Sequence, residues 1–184
     1  MENLKGRIII ITGSPGTGKT ATATIIAKES DIDKSVHMHT DDFYHYLSKG
    51  AIAPYLPESN EQNLIVIEAF LEAAKRYARG GYDVIVDGIV GPWFLEPWID
   101  IVRQGYEVHY IILRADKDET LKRAVKREKL DRETNTELVE TMWNQFKNLG
   151  AYEAYVTDTT SLSIADTVSA IKEKIAGRTV LLTV

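Results

Sequence analysis

The feature that most constrains this chain is the aliphatic run at residues 7–12, Arg-Ile-Ile-Ile-Ile-Thr, together with the eight residues that follow it. Four consecutive isoleucines do not alternate in and out, so the segment reads as a strand covered on both faces, the signature of a parallel sheet between helical layers. Further short β-rich runs are expected at 36–40, 84–87 and 108–113, with a weaker one at 154–157. Helical spacing fills the intervals at about 19–29, 61–79, 94–104, 117–129, 134–148 and 163–176. Strands alternating with helices predict an α/β domain, with ligands expected beyond the carboxyl ends of the strands. The tail, 179–184, is expected to add an edge strand.

Gly13-Ser14-Pro15-Gly16-Thr17-Gly18-Lys19-Thr20 has two glycines five apart followed by Lys and Thr, the phosphate-loop pattern. Glycines tolerate positive φ, so successive backbone N–H groups can turn into one concavity, and the following helix adds its partial positive N-terminus. Lys19 adds a full charge beside the β- and γ-phosphates, and the Thr20 hydroxyl suits Mg²⁺. The alternative, a glycine turn that binds nothing, leaves the Lys-Thr pair unexplained.

Composition sets the surroundings. With 184 residues, one domain is expected; 22 Lys and Arg against 27 Asp and Glu give a net charge of −5, which argues against general nucleic-acid binding. The absence of cysteine excludes thiolate metal sites and suits a reducing compartment. No apolar run approaches membrane-spanning length, and the first residues do not form a secretory leader. A cytoplasmic protein, monomeric or homodimeric, is the expectation.

Two further carboxylate positions matter. The strand at 84–87 ends in Asp87, placed to hold the hydration shell of Mg²⁺, and Gly88 follows where an efficient ATPase usually carries a water-orienting Glu. No Asn is followed by Lys, so the guanine-reading motif of GTPases is absent. The run at 36–40 leads into Asp41 and Asp42, beside the first strand's end. A carboxylate there can orient an acceptor hydroxyl, take its proton and assist the metal; it can equally cap a helix. Adjacency allows both jobs and does not separate the two residues.

Residues 114–132 hold eight of the 22 basic side chains in 19 positions, with Arg123 and Arg127 on one helical face. As a group they read as a lid, about 115–135, that closes over phosphates and excludes water; singly, each fits a solvated charged helix. By contrast no Lys or Arg occurs between Lys49 and Lys75, or between Arg79 and Arg103. Phosphate or carboxylate acceptors call for a bidentate cation, so these stretches predict a neutral or cationic acceptor. Tyr44, Tyr46, Tyr55, Trp93 and Trp98 could form an aromatic wall there, although core packing is the commoner fate of each. Gln62 and Asn63 could bond acceptor hydroxyls or face solvent. His37 and His39 share a strand face, which can suit zinc, but with no third ligand evident they read as structural.

With the phosphate loop, the aspartates after the second strand, Gly80-Gly81-Tyr82-Asp83-Val84-Ile85-Val86-Asp87-Gly88 and the basic lid, nearly the whole chain resembles the small phosphate-loop kinases. The nearest resemblance is to the AAA-type bacterial branch containing chloramphenicol phosphotransferase and zeta-toxin-like kinases; gluconate and shikimate kinases are more distant. The segment His39-Thr40-Asp41-Asp42-Phe43, with Pro54-Tyr55-Leu56-Pro57 and Gln62-Asn63, resembles a bacterial subgroup. The resemblance implies a three-layer P-loop NTPase fold whose five-stranded parallel sheet has the order 2-3-1-4-5, with a helical lid and Mg·ATP as donor. It implies Asp41 as catalytic base, aided by Lys19 and a lid arginine, Arg123 or Arg127. It also places Asp158 and Thr159, with Thr160, in the loop flanking adenine, where a turn and helix cap would otherwise be read. The acceptor side would be Asp41, Asp42, Tyr44, Tyr55, Asn63 and Trp93, serving a sugar, nucleoside or antibiotic hydroxyl. Two other readings remain open at this point: a slow nucleotide switch docking a partner through an apolar patch including Leu181, Leu182 and Val184, and a toxin-like kinase of nucleotide-sugars, which the shortage of basic residues disfavours.

Overall fold

The computed structural model describes residues 6–126 and 132–184, the latter by backbone alone at 132–135. Five strands, β1 (Arg7–Thr12), β2 (Ser35–His39), β3 (Asp83–Asp87), β4 (Val108–Arg114) and β5 (Val156–Asp158), form one sheet of order β2-β3-β1-β4-β5, parallel throughout. This is the expected P-loop NTPase arrangement, with the isoleucine strand at its centre.

The isoleucine run does what its lack of alternation demands. Ile9 and Ile11 pack with Ala23, Ile26, Ile85, Val168 and Ile171 beneath α1 (Lys19–Lys28) and α7 (Ile164–Ala176). Ile8 and Ile10 pack on the other face with Phe70, Ala74 and Trp98 of α3 (Asn60–Arg79) and α4 (Glu96–Arg103). All four are fully buried, and each completely buried aliphatic side chain contributes on the order of 2 kcal/mol of hydrophobic stabilisation.

Three details differ from the sequence expectation. Residues 40–45 form a short helix, α2 (Thr40–His45), that starts directly at the end of β2, with Asp41 and Asp42 in its first turn near the positive end of the dipole. A 3₁₀ segment, Gly150–Tyr155, precedes β5 and moves it later than expected. The tail adds to the sheet edge by a single antiparallel bridge and not as a full strand. β5 pairs only with Ile112–Arg114, which leaves the first half of β4 open on that side, and the tail runs antiparallel into the gap. Leu182 N donates to Val108 O at 2.7 Å and Tyr110 N to Val180 O at 2.8 Å. Of the apolar patch expected at the tail, Leu182 is buried beside Val180, Leu181 is half-buried and Val184 is exposed, so the docking takes up only part of it.

The basic segment begins as α5 (Lys117–Val125), capped by Asp116, whose side chain accepts from Glu119 N, and resumes as α6 (Arg132–Gln145). Arg127, expected in the lid, lies outside the described residues. Among the described residues no helix is long and apolar enough to cross a membrane.

Candidate phosphate-binding site

Where β1 ends, Gly13, Gly16 and Gly18 take φ values of 144°, 86° and 88°, a left-handed sequence that only glycine adopts without strain. A Cβ on Gly13 would stand 2.2 Å from the Leu113 carbonyl oxygen, and one on Gly16 2.8 Å from that of Thr120, so the loop is wedged between β4 and α5 with no room for side chains. Thr17 closes the turn by donating from Oγ1 to Ser14 O at 2.9 Å, and the Lys19 ammonium lies 3.4 Å from the same carbonyl, folded over the loop. Pro15 sits half-buried at the bend. Ser14 Oγ is buried and finds no hydrogen-bond partner among the described residues, as expected of a loop whose polar lining faces an anion. Backbone and side chains therefore fit a nucleotide's phosphates.

The register of the sheet assembles the metal-holding candidates. Thr20, at the first turn of α1, donates from Oγ1 to Asp87 Oδ1 at 3.4 Å. Asp87 is 96% buried, yet its carboxyl is held below the usual carboxylate range. Burial alone would raise it; the His37 hydrogen bond, the charges of His39 and His37 and the Thr20 bond together outweigh that effect. An ionised carboxylate beside a threonine hydroxyl, one strand from the loop, fits Mg²⁺ held through its waters.

Gly88 has its own reason. A Cβ there would fall 1.8 Å from Thr40 Oγ1 and within 3.0 Å of the rest of that side chain. The ends of β2 and β3 touch at this point, and a side chain at 88 would push apart the segment carrying Asp41. The water-orienting glutamate of efficient ATPases is therefore sterically excluded.

Asp41 and Asp42 are exposed in the first turn of α2, at the carboxyl edge of the sheet two and three residues beyond the His39–Asp87 pair. One turn on, the half-buried Tyr44 feels Asp41: burial first, then the Asp41 charge, raises its phenol pKa and keeps it a hydrogen-bond donor. Phe43 pins the helix to the core, its ring 5.0 Å from Phe70.

The remaining sequence candidates divide. Gln62 grips the backbone of Ile52 with both amide atoms at 2.8 Å, and Asn63 Nδ2 donates to Pro54 O and Ser59 Oγ at 2.9 Å. Both brace the loop before α3. Trp98 is core, fully buried. Trp93 and Tyr55 are 53% and 77% exposed; Trp93 packs edge-on against Phe146 at 5.1 Å. Its position is fixed through Val90, whose N–H donates to Thr12 Oγ1 at 2.8 Å and whose carbonyl accepts from Tyr110 OH at 2.6 Å. Sequence reading missed this clamp, because no spacing links residues 12, 90 and 110.

Arg123 lies on α5, the helix against the phosphate loop, but its guanidinium is engaged: Nε donates to Glu119 at 2.8 Å, and Nη2 to the carbonyls of Thr159 and Thr160 at 3.0 and 3.3 Å. Asp158 accepts from Thr160 N at 2.9 Å and its hydroxyl at 2.6 Å, forming a tight turn after β5. The Thr159 hydroxyl is buried without a partner among the described residues. α5 and the turn after β5 are thus joined through Arg123.

The two arginines that could have reached the acceptor side are committed elsewhere. Arg103, at the far end of α4, pairs with Glu96 at 2.7 Å and Asp100 at 2.5 Å. Arg114 forms a bidentate pair with Glu153 at 2.8 and 2.9 Å and ties down the end of α6 through Phe146 O.

Together, the wedged phosphate loop, the central isoleucine strand and the 2-3-1-4-5 sheet define a P-loop nucleotide-binding domain. The chain belongs to the AAA domain family, whose model matches residues 9–143. Among solved structures it is similar to a sugar kinase from Janibacter sp. HTCC2649, 18% identical with a TM-score of 0.70, over 93% of this chain and 95% of that one. It is also similar to the tunicamycin resistance protein of Deinococcus radiodurans, 21% identical with a TM-score of 0.64, over 92% and 95% of the two chains. At such identities the likeness carries the fold and no substrate. No curated protein is similar enough in sequence to count as a relative.

Proposed function

We propose that the chain is a Mg·ATP-dependent phosphotransferase acting on a hydroxyl of a neutral or cationic small molecule. The observation that carries this reading is the convergence at one end of the sheet of the phosphate loop, the Thr20–Asp87 pair and the exposed Asp41. The loop amides and Lys19 hold the β- and γ-phosphates. Thr20 and Asp87, with Asp41 nearby, would hold Mg²⁺, which would supply neutralisation of charge on the phosphate oxygens. Asp41 accepts the proton of the acceptor hydroxyl as that oxygen bonds to the γ-phosphorus and the bond to the β–γ bridging oxygen breaks, releasing ADP. Asp42 and Tyr44 orient the acceptor. Arg123 exchanges its carbonyl partners for phosphate oxygens when the lid closes; Arg127 would join it. Asp158 and Thr159 flank the base.

The class of acceptor follows from charge. The start of α3 and the Gly91–Glu96 segment lie at the site end of the sheet and carry no Lys or Arg, whereas Arg79 and Arg103 end their helices at the opposite end. A sugar, nucleoside or antibiotic hydroxyl fits such a pocket; a phosphate or a nucleotide-sugar does not. Hydrolysis as the purpose is disfavoured by the steric exclusion at Gly88, and the switch reading loses Leu182 of its docking patch to the core.

Replacing Asp41 by Asn tests the central role. Transfer should fall by about 10²–10⁴, the usual worth of a positioned general base, while ATP affinity stays within about twofold. Retained turnover would remove Asp41 from the mechanism and point to Asp42.

A further inference from the structure

The two histidines of β2 acquire in the fold the third ligand that the sequence does not reveal. Residues 37 and 39 share one face of the strand, and the parallel register sets His39 directly opposite Asp87. His37 Nε2 and His39 Nδ1 each stand 3.1 Å from the same carboxylate oxygen, Asp87 Oδ2. The imidazole rings are tilted by 41° with centroids 4.3 Å apart, and one ligand atom from each of the three residues lies within 4.8 Å of the others. The other oxygen, Oδ1, points to Thr20.

We infer that His37, His39 and Asp87 form a binding site for a zinc-class divalent ion, separate from the magnesium position and sharing only the Asp87 carboxylate with it. Two imidazole nitrogens and a carboxylate are a borderline-soft set, the preference of Zn²⁺ and its first-row neighbours and not of Mg²⁺, which takes oxygen. Around a tetrahedral ion with bonds near 2.0–2.1 Å, ligand atoms stand about 3.3 Å apart, so both nitrogen–oxygen distances are already within about 0.2 Å of that spacing. Side-chain rotation closes the gap between the two nitrogens. In this structure His37 Nε2 is hydrogen-bonded to Oδ2, and His39 Nδ1 stands in ion-pair contact with the same oxygen. On binding, each ring presents a lone pair instead and keeps its proton on the other nitrogen, His37 Nδ1 and His39 Nε2. The His39 side chain is 37% exposed, which gives the ion a path from solvent and room for water as fourth ligand.

The bridging carboxylate gives the site its consequence. Oδ2 engaged by Zn²⁺ leaves Oδ1 on the Thr20 side with less charge to offer magnesium, which couples the two ions. This coupling rests on the function proposed above; binding of the ion itself does not.

Binding is therefore tested without nucleotide or turnover. Chelator-treated protein is titrated with ZnCl₂ by calorimetry and with CoCl₂ by visible absorption, alongside His37→Gln, His39→Gln and the control His45→Gln. One saturable equivalent of Zn²⁺ is expected, with Co²⁺ giving the intense d–d bands of a low-coordinate, nitrogen-ligated ion. Each of the first two variants should lose at least about tenfold in affinity, the lower end of what even an outer-shell change costs. His45→Gln should bind as the parent does. The Co²⁺ spectrum of the unaltered protein decides the matter even if a variant fails to fold. A spectrum of the hydrated ion only, an absence of Zn²⁺ heat, or binding that His37→Gln and His39→Gln leave intact would overturn the site.

Discussion

The Thr20 hydroxyl meets Asp87 Oδ1 at 3.4 Å, joining the first turn of α1 to the end of β3 across the mouth of the phosphate loop. The two residues are 67 positions apart in sequence, and only the β1–β3 pairing brings them together. If this pair holds the magnesium shell, Asp87→Asn should lower kcat/KM by about 10²–10³, the size of losing one preorganised charged group. The Mg²⁺ titration of activity should shift to higher concentration, with metal-free nucleotide binding unchanged. Steady-state kinetics at several Mg²⁺ concentrations checks both.

Gly88 is tested through its neighbour. Gly88→Ala drives a methyl group into Thr40, and overpacking of this kind costs about 1–3 kcal/mol. Adding Thr40→Ala removes the atoms at 1.8 and 3.0 Å but not the Thr40 Cβ at 2.9 Å, so partial recovery is expected in urea denaturation. A double-mutant cycle that shows no coupling would refute the contact.

Trp93, proposed to line the acceptor side, is exposed, three residues beyond the Val90 clamp. Trp93→Ala should raise the acceptor KM about two- to tenfold, the range of one aromatic contact, without moving the KM for ATP. Equal effects on both substrates would show that the ring acts on the fold and not on the acceptor.

The docked tail carries a pH dependence. His109 is fully buried on β4 opposite Leu181, where its Nε2 meets Glu107 at 2.8 Å and Arg178 completes the cluster. Burial depresses its pKa most; Glu107 opposes this, and the Arg7 and Arg178 charges add to it. Because the folded-state value lies below the unfolded one near 6.5, the stability is fully present above about pH 6.5 and is lost as pH falls through that range, at no more than about 1.4 kcal/mol per pH unit. Urea melts between pH 5 and 8 should show this slope, and His109→Gln should flatten it.

Much of the fold could be read from one strand and one loop. The isoleucine run required cover on both faces, and the glycines of residues 13–18 required positive φ, which the structure shows at all three. Periodicity also located α3 and α7 to within a residue or so. What stayed hidden was set by register and not by local pattern. His39 and Asp87 face each other because β2 pairs with β3, so the third ligand of the histidine pair lies 48 positions from the second in sequence. Asn63 and Gln62 read as site residues because amides are versatile; their partners, Pro54 and Ile52, could be found only by folding the loop back on α3. The tail was legible as an edge element, but not its place against the first half of β4, because the shortness of β5 that opens this gap has no signal in composition.

The most direct test of the central claim is ADP release from Mg·ATP, measured with and without a panel of sugars, nucleosides and hydroxylated antibiotics, with Asp41→Asn alongside. A neutral or cationic hydroxyl compound should accelerate ADP release and gain one phosphoryl group by mass, and Asp41→Asn should lose that acceleration while still binding ATP. ATP binding accompanied by slow formation of inorganic phosphate, indifferent to every compound and to Asp41→Asn alike, would contradict the phosphotransferase account.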